Sequence, residues 1–475
     1  MTWETVIGLE VHVQLRTRTK MFCACRASFG DPPNTNVCPV CLGLPGALPV
    51  PNAEAIRLAT RAALALGCSI QETSVFARKN YFYPDLPKGY QISQFDQPLA
   101  TGGRVVFDSA DRGRTEVGIT RLHVEEDAGK LIHDRFPAKT AVDLNRAGTP
   151  LAEIVSEPDL RSPAEARAYL TTLRQILVYA GVSDCSMEQG SLRVDANISI
   201  RRAGETRLGT KTEVKNMNSF ANVERALEAE RARQAALVEA GERVAQVTLL
   251  FNAGTGQVKP IRSKEESHDY RYFPDPDLPP LVLTPAWVAD QRAALPELPE
   301  ARRARLEQVY ALSAYDARVL TSEAGLADYF ESVTRAGVEP KTAANWVMAD
   351  VMTTFNERGS LAVEPDRLAG LIALVRDGVV SHQAAKRVYT ELVDSPGEAP
   401  RAVAQRLGLV QVSDQGALAG WVDEVLASHP AEVARYRAGE AKLMGFFVGQ
   451  VMKRSQGKAD PKGVQPVLAE QLRER

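Results

Sequence analysis

Residues 7–15 read Ile7-Gly8-Leu9-Glu10-Val11-His12-Val13-Gln14-Leu15. In a strand, successive side chains point to opposite faces. Leu9, Val11, Val13 and Leu15 then form one wholly apolar face, which must be core. Glu10, His12 and Gln14 form the other, with a carboxylate, an imidazole and an amide side by side. This alternation predicts a half-buried strand whose outer face carries chemistry. The theme recurs. Arg121-Leu122-His123-Val124-Glu125-Glu126-Asp127 places His123, Glu125 and Asp127 on one face. Leu192–Ile200 alternates as well, with Asp195 and Asn197 on its polar face, and Lys211, Glu213 and Lys215 share a face in the next run.

Further β-prone runs occur at Arg104–Phe107 and Lys139–Asn145. Helical stretches interrupt the strands at Asn52–Leu66, Ser162–Ala180 and Asn222–Val247. The second opens with Ser162-Pro163, an N-cap followed by proline at the first helical position, and Glu165 stands three residues after the cap. Together these predict an α+β fold built on a large, mostly antiparallel sheet. At Pro274-Asp275-Pro276-Asp277-Leu278-Pro279-Pro280 the texture changes to turn chemistry. Helices separated by Pro and Gly then dominate from Ala301 to Ser455, with a break at Asp394-Ser395-Pro396-Gly397. The expected organisation is a domain over 1–292, a helical domain over 293–398 and a helical tail over 399–475.

The chain has 475 residues, 44% hydrophobic and 24% charged, with a formal net charge of −2. These values exclude a disordered chain and a uniformly basic nucleic-acid binder. The start lacks a basic segment followed by an apolar one, and no run of about 18 apolar residues occurs. Both features point to a cytoplasmic protein without a membrane span. Balance over the whole chain hides local asymmetry. Residues 293–400 hold 11 Lys and Arg against 16 Asp and Glu, whereas residues 433–475 hold nine against four. The tail cations Lys453, Arg454, Lys458 and Lys462 are candidates for phosphate contacts with a nucleic acid. A solvated helix end is the plain alternative.

Four of the six cysteines, Cys23, Cys25, Cys38 and Cys41, lie within the first 41 residues. Two short thiolate pairs can converge on one tetrahedral ion, and a closed four-thiolate zinc site leaves no position for substrate. Structural Zn²⁺ is the favoured reading, and four free thiols in a loop is the competing one. Cys68 and Cys185 stand alone as buried thiols. Two carboxylate-bearing strands side by side would make a floor suited to Mg²⁺, which prefers oxygen ligands and bridges carboxylates to phosphates. For either strand alone, a solvated polar face competes equally. Arg78-Lys79-Asn80-Tyr81-Phe82-Tyr83 and Ser263-Lys264-Glu265-Glu266-Ser267-His268-Asp269-Tyr270-Arg271-Tyr272 mix cations with aromatics, as suits phosphate, nucleotide or nucleic acid. Neither a Gly-x4-Gly-Lys-Ser/Thr loop nor a Gly-x-Gly-x-x-Gly fingerprint is present.

At this point several long strings resemble one family. They are residues 7–15, Val37-Cys38-Pro39-Val40-Cys41-Leu42-Gly43, residues 78–90, Asp143-Leu144-Asn145-Arg146-Ala147-Gly148-Thr149-Pro150, Val214-Lys215-Asn216-Met217-Asn218-Ser219 and His268–Leu278. They are similar to the B-subunit family of the aspartyl/glutamyl-tRNA(Asn/Gln) amidotransferases, over nearly the whole chain. The resemblance implies a cradle domain related to glutamine synthetase, followed by helical domains that hold tRNA. It implies a heterotrimer with an amidase, the A subunit, which supplies ammonia, and a small C subunit. The implied chemistry uses ATP and Mg²⁺ to phosphorylate the side-chain carboxylate of misacylated Glu-tRNA(Gln) or Asp-tRNA(Asn), which ammonia then amidates. By resemblance Glu10, His12 and Glu125 hold Mg²⁺, and Lys79 contacts phosphate or the activated carboxyl. Asp195, Asn197, Lys211 and Lys215 complete the ATP-binding and catalytic site. Leu250-Phe251-Asn252-Ala253 departs from the family's Trp-Asp pair, so no role is assigned there. The alternative is a zinc-stabilised tRNA-binding scaffold without its own chemistry.

Overall fold

A computed structural model describes residues 3–261, 269–411, 415–455 and 459–474. The described chain forms two compact units, Met1–Ala301 and Arg302–Arg475. Lys458, and residues 263–268 of the aromatic-cation run, lie outside the described residues.

The first unit is built on a ten-stranded sheet. Its strands are β1 (Trp3–Gln14), β2 (Ser69–Ile70), β3 (Ala100–Thr101), β4 (Arg104–Ser109), β5 (Gly113–Glu126), β6 (Pro150–Ser156), β7 (Leu192–Arg202), β8 (Thr212–Lys215), β9 (Thr248–Asn252) and β10 (Gln257–Pro260). The order across the sheet is β10-β9-β8-β7-β1-β6-β5-β3-β2, with β4 also on β5. All pairs are antiparallel except β8 with β9. The predicted α+β class and mostly antiparallel sheet therefore hold. Several strands escaped the sequence reading: the short β2 and β3, the edge pair β9 and β10, and β6. β6 has the burial of an inner strand hidden on both faces, with Leu151, Ala152 and Ile154 at 2% exposure or less, so its sequence shows no alternation.

Three helices, α1 (Ala53–Ala65), α2 (Pro163–Tyr179) and α3 (Phe220–Glu239), supply much of the core that buries the apolar side chains of β1. The first two begin where predicted, and the third begins at Phe220, two residues before the predicted Asn222. Asn52 accepts from the amides of Glu54 and Ala55, Ser162 from Glu165, and Ser219 from Asn222. The third ends before the predicted Val247, because Gly241 takes a φ of +81° and stops the helical run. A small sheet of Ala77–Asn80, Tyr90–Ser93 and Phe273–Pro274 is the platform for Lys79.

The second unit is helical and carries two apolar cores. One runs from Leu306 to Ala404 and the other from Leu418 to Leu472. The predicted helix Lys341–Glu357 is continuous but contains a π-helical turn at Val347–Val351. A further helix, Pro461–Glu474, was missed; Asp460 caps it through the amides of Lys462 and Gly463. Among the described residues no helix is long and apolar enough to cross a membrane.

Candidate active site

Directly opposed residues of an antiparallel ladder share a face. His12 of β1 stands opposite Arg193 of β7 on one side and Glu153 of β6 on the other. Glu153 in turn stands opposite His123 of β5. One polar row therefore crosses four strands. On the neighbouring rows Glu10 faces Asp195, and Asn197 faces Glu213 of β8. The reverse face holds Leu9, Val11 and Val13, each at 1% exposure or less. The two faces are those predicted from residues 7–15.

The row closes into a cluster. His12 Nε2 lies 3.2 Å from Glu153 Oε2 and 3.9 Å from Glu125 Oε1. His123 Nε2 lies 3.4 Å from Glu153 and 3.6 Å from Glu125. Burial alone would lower the pKa of His123. Hydrogen bonds to Glu125 and Glu153, and their charges, outweigh it and hold the imidazole at about 9. The same balance raises His12. Burial raises Glu153, and the two histidines more than reverse that, leaving it well below the carboxylate range. Ser93 Oγ donates to Glu125 at 3.0 Å and fixes its second oxygen.

Of the residues expected to hold Mg²⁺, the structure brings His12 and Glu125 together and adds Glu153, which the sequence reading missed. Ligand atoms of these three lie within 4.8 Å of one another. Glu10 is outside that triad and accepts from Asn197 Nδ2 at 3.0 Å. Its pKa is raised by burial and by the carboxylates of Glu153, Glu213 and Asp195, so the floor has negative charge in excess at this point. Two carboxylates and one imidazole leave a divalent ion open positions for water or phosphate oxygens, as a catalytic site requires. The donor set fits Mg²⁺ on that ground.

Cations border the floor. Lys79 is raised in pKa: burial opposes its charge, and Glu125, Tyr272, Tyr270 and Glu153 outweigh it. Its Nζ stands 4.8 Å from the ring centre of Tyr270. Lys215 Nζ bridges Asp195 at 2.9 Å and Glu213 at 3.0 Å. Lys211 is exposed and stands apart from these pairs, lining a cleft of about 290 Å³ with Glu10 and Asn197. Two further cations were not read from the sequence. Arg193 donates to buried Asp127 at 2.8 Å, and Arg146 stands 3.7 Å from the same carboxylate. Gln14 donates to its other oxygen at 2.8 Å.

The four clustered cysteines do converge, with sulfurs within 4.8 Å of one another. Cys41 is held down to about 4. A hydrogen bond from Cys23 is the largest cause, and the Cys38 amide and the Lys20 ammonium add to it against burial. Burial, with a hydrogen bond to Cys38, pushes Cys25 up to about 11. Four sulfurs at one point, one already favouring thiolate, fit a tetrahedral zinc ion. Cys68 and Cys185 are separate and buried, as expected. Phe251 is buried and Asn252 caps a turn through the amides of Gly254 and Thr255, which accounts for both without a site role. In the tail, Lys453 and Lys462 are exposed, while Arg454 donates to Glu424 at 2.6 Å.

Residues 5–289 match the family described as the GatB/GatE catalytic domain, and residues 328–472 match the GatB domain. The chain is 52% identical to the B subunit of the aspartyl/glutamyl-tRNA(Asn/Gln) amidotransferase of Oleidesulfovibrio alaskensis over 474 residues, 99% of each chain. It is equally similar, at 52%, to the B subunits of Geobacter sulfurreducens (480 residues, 100% of each chain) and Moorella thermoacetica (478 residues, 99% of this chain and 100% of that one).

Proposed function

The chain belongs to the GatB family of amidotransferase B subunits, and from that premise we propose that it activates the side-chain carboxylate of Glu-tRNA(Gln) or Asp-tRNA(Asn) with ATP. The activated acyl phosphate is then amidated by ammonia from a partner amidase, the A subunit, in a cytoplasmic heterotrimer braced by a small C subunit. The observation that carries this reading is the convergence of His12, Glu125 and Glu153 on a polar sheet face bordered by Lys79, Lys215 and Arg193.

A carboxylate resists amidation because its leaving group would be oxide, and phosphorylation provides a better one. That step brings an anionic carboxylate against anionic phosphates, so catalysis is mainly positioning and charge stabilisation. Mg²⁺ held by His12, Glu125 and Glu153, with Glu10 on the adjoining row, would neutralise phosphate charge. Lys79, kept protonated among carboxylates and beside the Tyr270 ring, is placed to hold the transferred phosphoryl group or the carboxyl it activates. Asp195 and Asn197 orient Lys215 and Glu10 respectively. Lys211 stands where a nucleotide in the adjoining cleft would meet it. Cys23, Cys25, Cys38 and Cys41 hold a structural Zn²⁺. The tail, 399–475, contacts the tRNA backbone through Lys453, Arg454, Lys458 and Lys462.

Glu125→Gln in the assembled enzyme tests the assignment. Glu-tRNA-dependent ATP consumption should fall by about 10²-fold or more, while tRNA binding stays intact. ATP consumption that persists in the variant sinks the Mg²⁺ role. Nucleotide titration with Mg²⁺ that detects no binding to the wild type sinks the kinase reading and leaves a scaffold.

A further inference from the structure

Lys20 is wholly buried. Its Nζ meets the carbonyl of Asn36 at 2.6 Å, the carbonyl of Leu144 at 3.3 Å and the sulfur of Cys41 at 3.7 Å. An ammonium has three donors and no acceptor, so this set satisfies it fully. Two of the three partners are neutral, and a buried charge without an anion is costly. Of the three, only the sulfur can supply the anion.

The sulfur belongs to the four-cysteine cluster. Four thiolates around a divalent ion carry a net charge of about −2. One ammonium against a ligand sulfur halves that excess and orients the ligand, the usual part of a group just outside a metal's ligands. Cys41 is also approached by the amide of Cys38 at 3.2 Å, so its sulfur is held from two sides.

The other two bonds of Lys20 reach in opposite directions along the chain. Asn36 lies in the loop between the two cysteine pairs. Leu144 opens the turn 144–149. Loop and turn are laced together: Asn36 N donates to Asn145 Oδ1 at 2.8 Å, Leu144 N to Asn34 Oδ1 at 2.8 Å, and Asn145 Nδ2 to the Pro32 carbonyl at 2.7 Å. The turn carries Arg146, which donates to the carbonyls of Ala128 and Gly129 at 2.9 and 2.7 Å and stands beside Asp127. Asp127 anchors Arg193, the residue opposite His12. At Gly148 the backbone takes a φ of +86°, and an added Cβ would lie 3.4 Å from Lys20 Cδ and 3.5 Å from Cys41 Cβ. Only glycine takes that φ without strain, so it lets the turn close over the lysine.

We propose that Lys20 is the buried counter-ion of the cysteine metal site and latches it to the Leu144–Thr149 turn, so that metal at the cysteines holds Arg146 and Asp127 in place at the end of the catalytic floor. This rests on the zinc reading above. Lys20 touches no substrate and is a positioning residue.

The test uses the full chain in its assembled enzyme, loaded with Zn²⁺. Zinc transfer to the chromophoric chelator 4-(2-pyridylazo)resorcinol is followed for the wild type and for Lys20→Met, which keeps the stem and removes the charge. Release should be about 10–100-fold faster in the variant. A second measurement needs only the wild type. Stripping the zinc should speed hydrogen exchange of the Ala147, Gly148 and Thr149 amides by about tenfold or more, while Val11 and Val13 stay protected. Equal release from both proteins overturns the counter-ion role, and unchanged exchange in the turn overturns the latch. A wild type that takes up no zinc when supplied with it overturns the metal reading, and this proposal with it.

Discussion

Glu153→Gln isolates one charge at the centre of the polar row while keeping its shape. Glu153 lies 3.4 Å from His123, and Glu125 lies 3.6 Å from it. Against the burial that would lower it, these two carboxylates raise the histidine from 6.5 to about 9. At about 1.4 kcal/mol per unit this shift is worth about 3 kcal/mol to the folded state. Near-equal distances split the carboxylates' pull about evenly, and because burial opposes that pull, losing Glu153 removes at least half of the net shift. A group whose folded pKa is raised stabilises the fold fully below its unfolded pKa and loses that contribution as pH rises through the folded value. Glu153→Gln should therefore cost at least about 1.5 kcal/mol at pH 6 and about 0.8 kcal/mol at pH 8.5. Because the chain has two units, the probe must be local. Hydrogen exchange of the Val11, Val13 and Ile154 amides in EDTA, corrected for intrinsic rates, should be at least about tenfold faster in the variant at pH 6 and about fourfold faster at pH 8.5. Added Mg²⁺ should then slow exchange in the wild type and leave the variant unchanged. A pH-independent ratio, or equal protection at pH 6, refutes the charge coupling. Equal protection by Mg²⁺ in both proteins refutes Glu153 as a ligand.

In the helical unit, Glu331 accepts from Arg302 and Arg305, whose hydrogen bonds and charges overcome burial and hold it at about 2. A depressed carboxylate stabilises above its unfolded pKa, so this unit should begin to lose stability as pH falls from about 4.5 toward 2. Circular dichroism of Glu331→Gln should show that loss removed and a lower stability at neutral pH. Cys41→Ser should abolish the one zinc expected per chain and lower the melting temperature, measured by metal analysis and calorimetry. Lys453→Ala with Lys462→Ala should weaken tRNA binding and shallow its salt dependence by about two in slope. Arg454→Ala should do less, since its guanidinium already pairs with Glu424. Unchanged salt dependence in the lysine pair would remove the tail from the tRNA contact.

Half-buried elements were the most legible. β1, β5 and β7 announce themselves because one face is core and the other polar, and that contrast repeats every second residue. Caps such as Ser162-Pro163 marked helix starts for an equally local reason. β6 was silent, since its near-continuous burial removes the contrast, and Glu153 was lost with it. The helix Pro461–Glu474 was lost although Val464, Leu468 and Leu472 share one face of it. Pro466 within the run breaks the look of a helix. Arg193 carried no motif, and Arg146 lay in a family string that gave it no role, because what selects both is the buried Asp127 they share.

The amino-acid sequence by itself determined the fold class, the two faces of β1, the clustering of four cysteines and the family. Each of these is written in periods, spacings or strings along the chain. The tertiary structure alone decided which residues meet. Strand register, set between positions as far apart as 12 and 153 and between 153 and 123, put Glu153 rather than Glu10 with His12 and Glu125. Burial then made those contacts strong, because charges hidden from water on one row must answer one another.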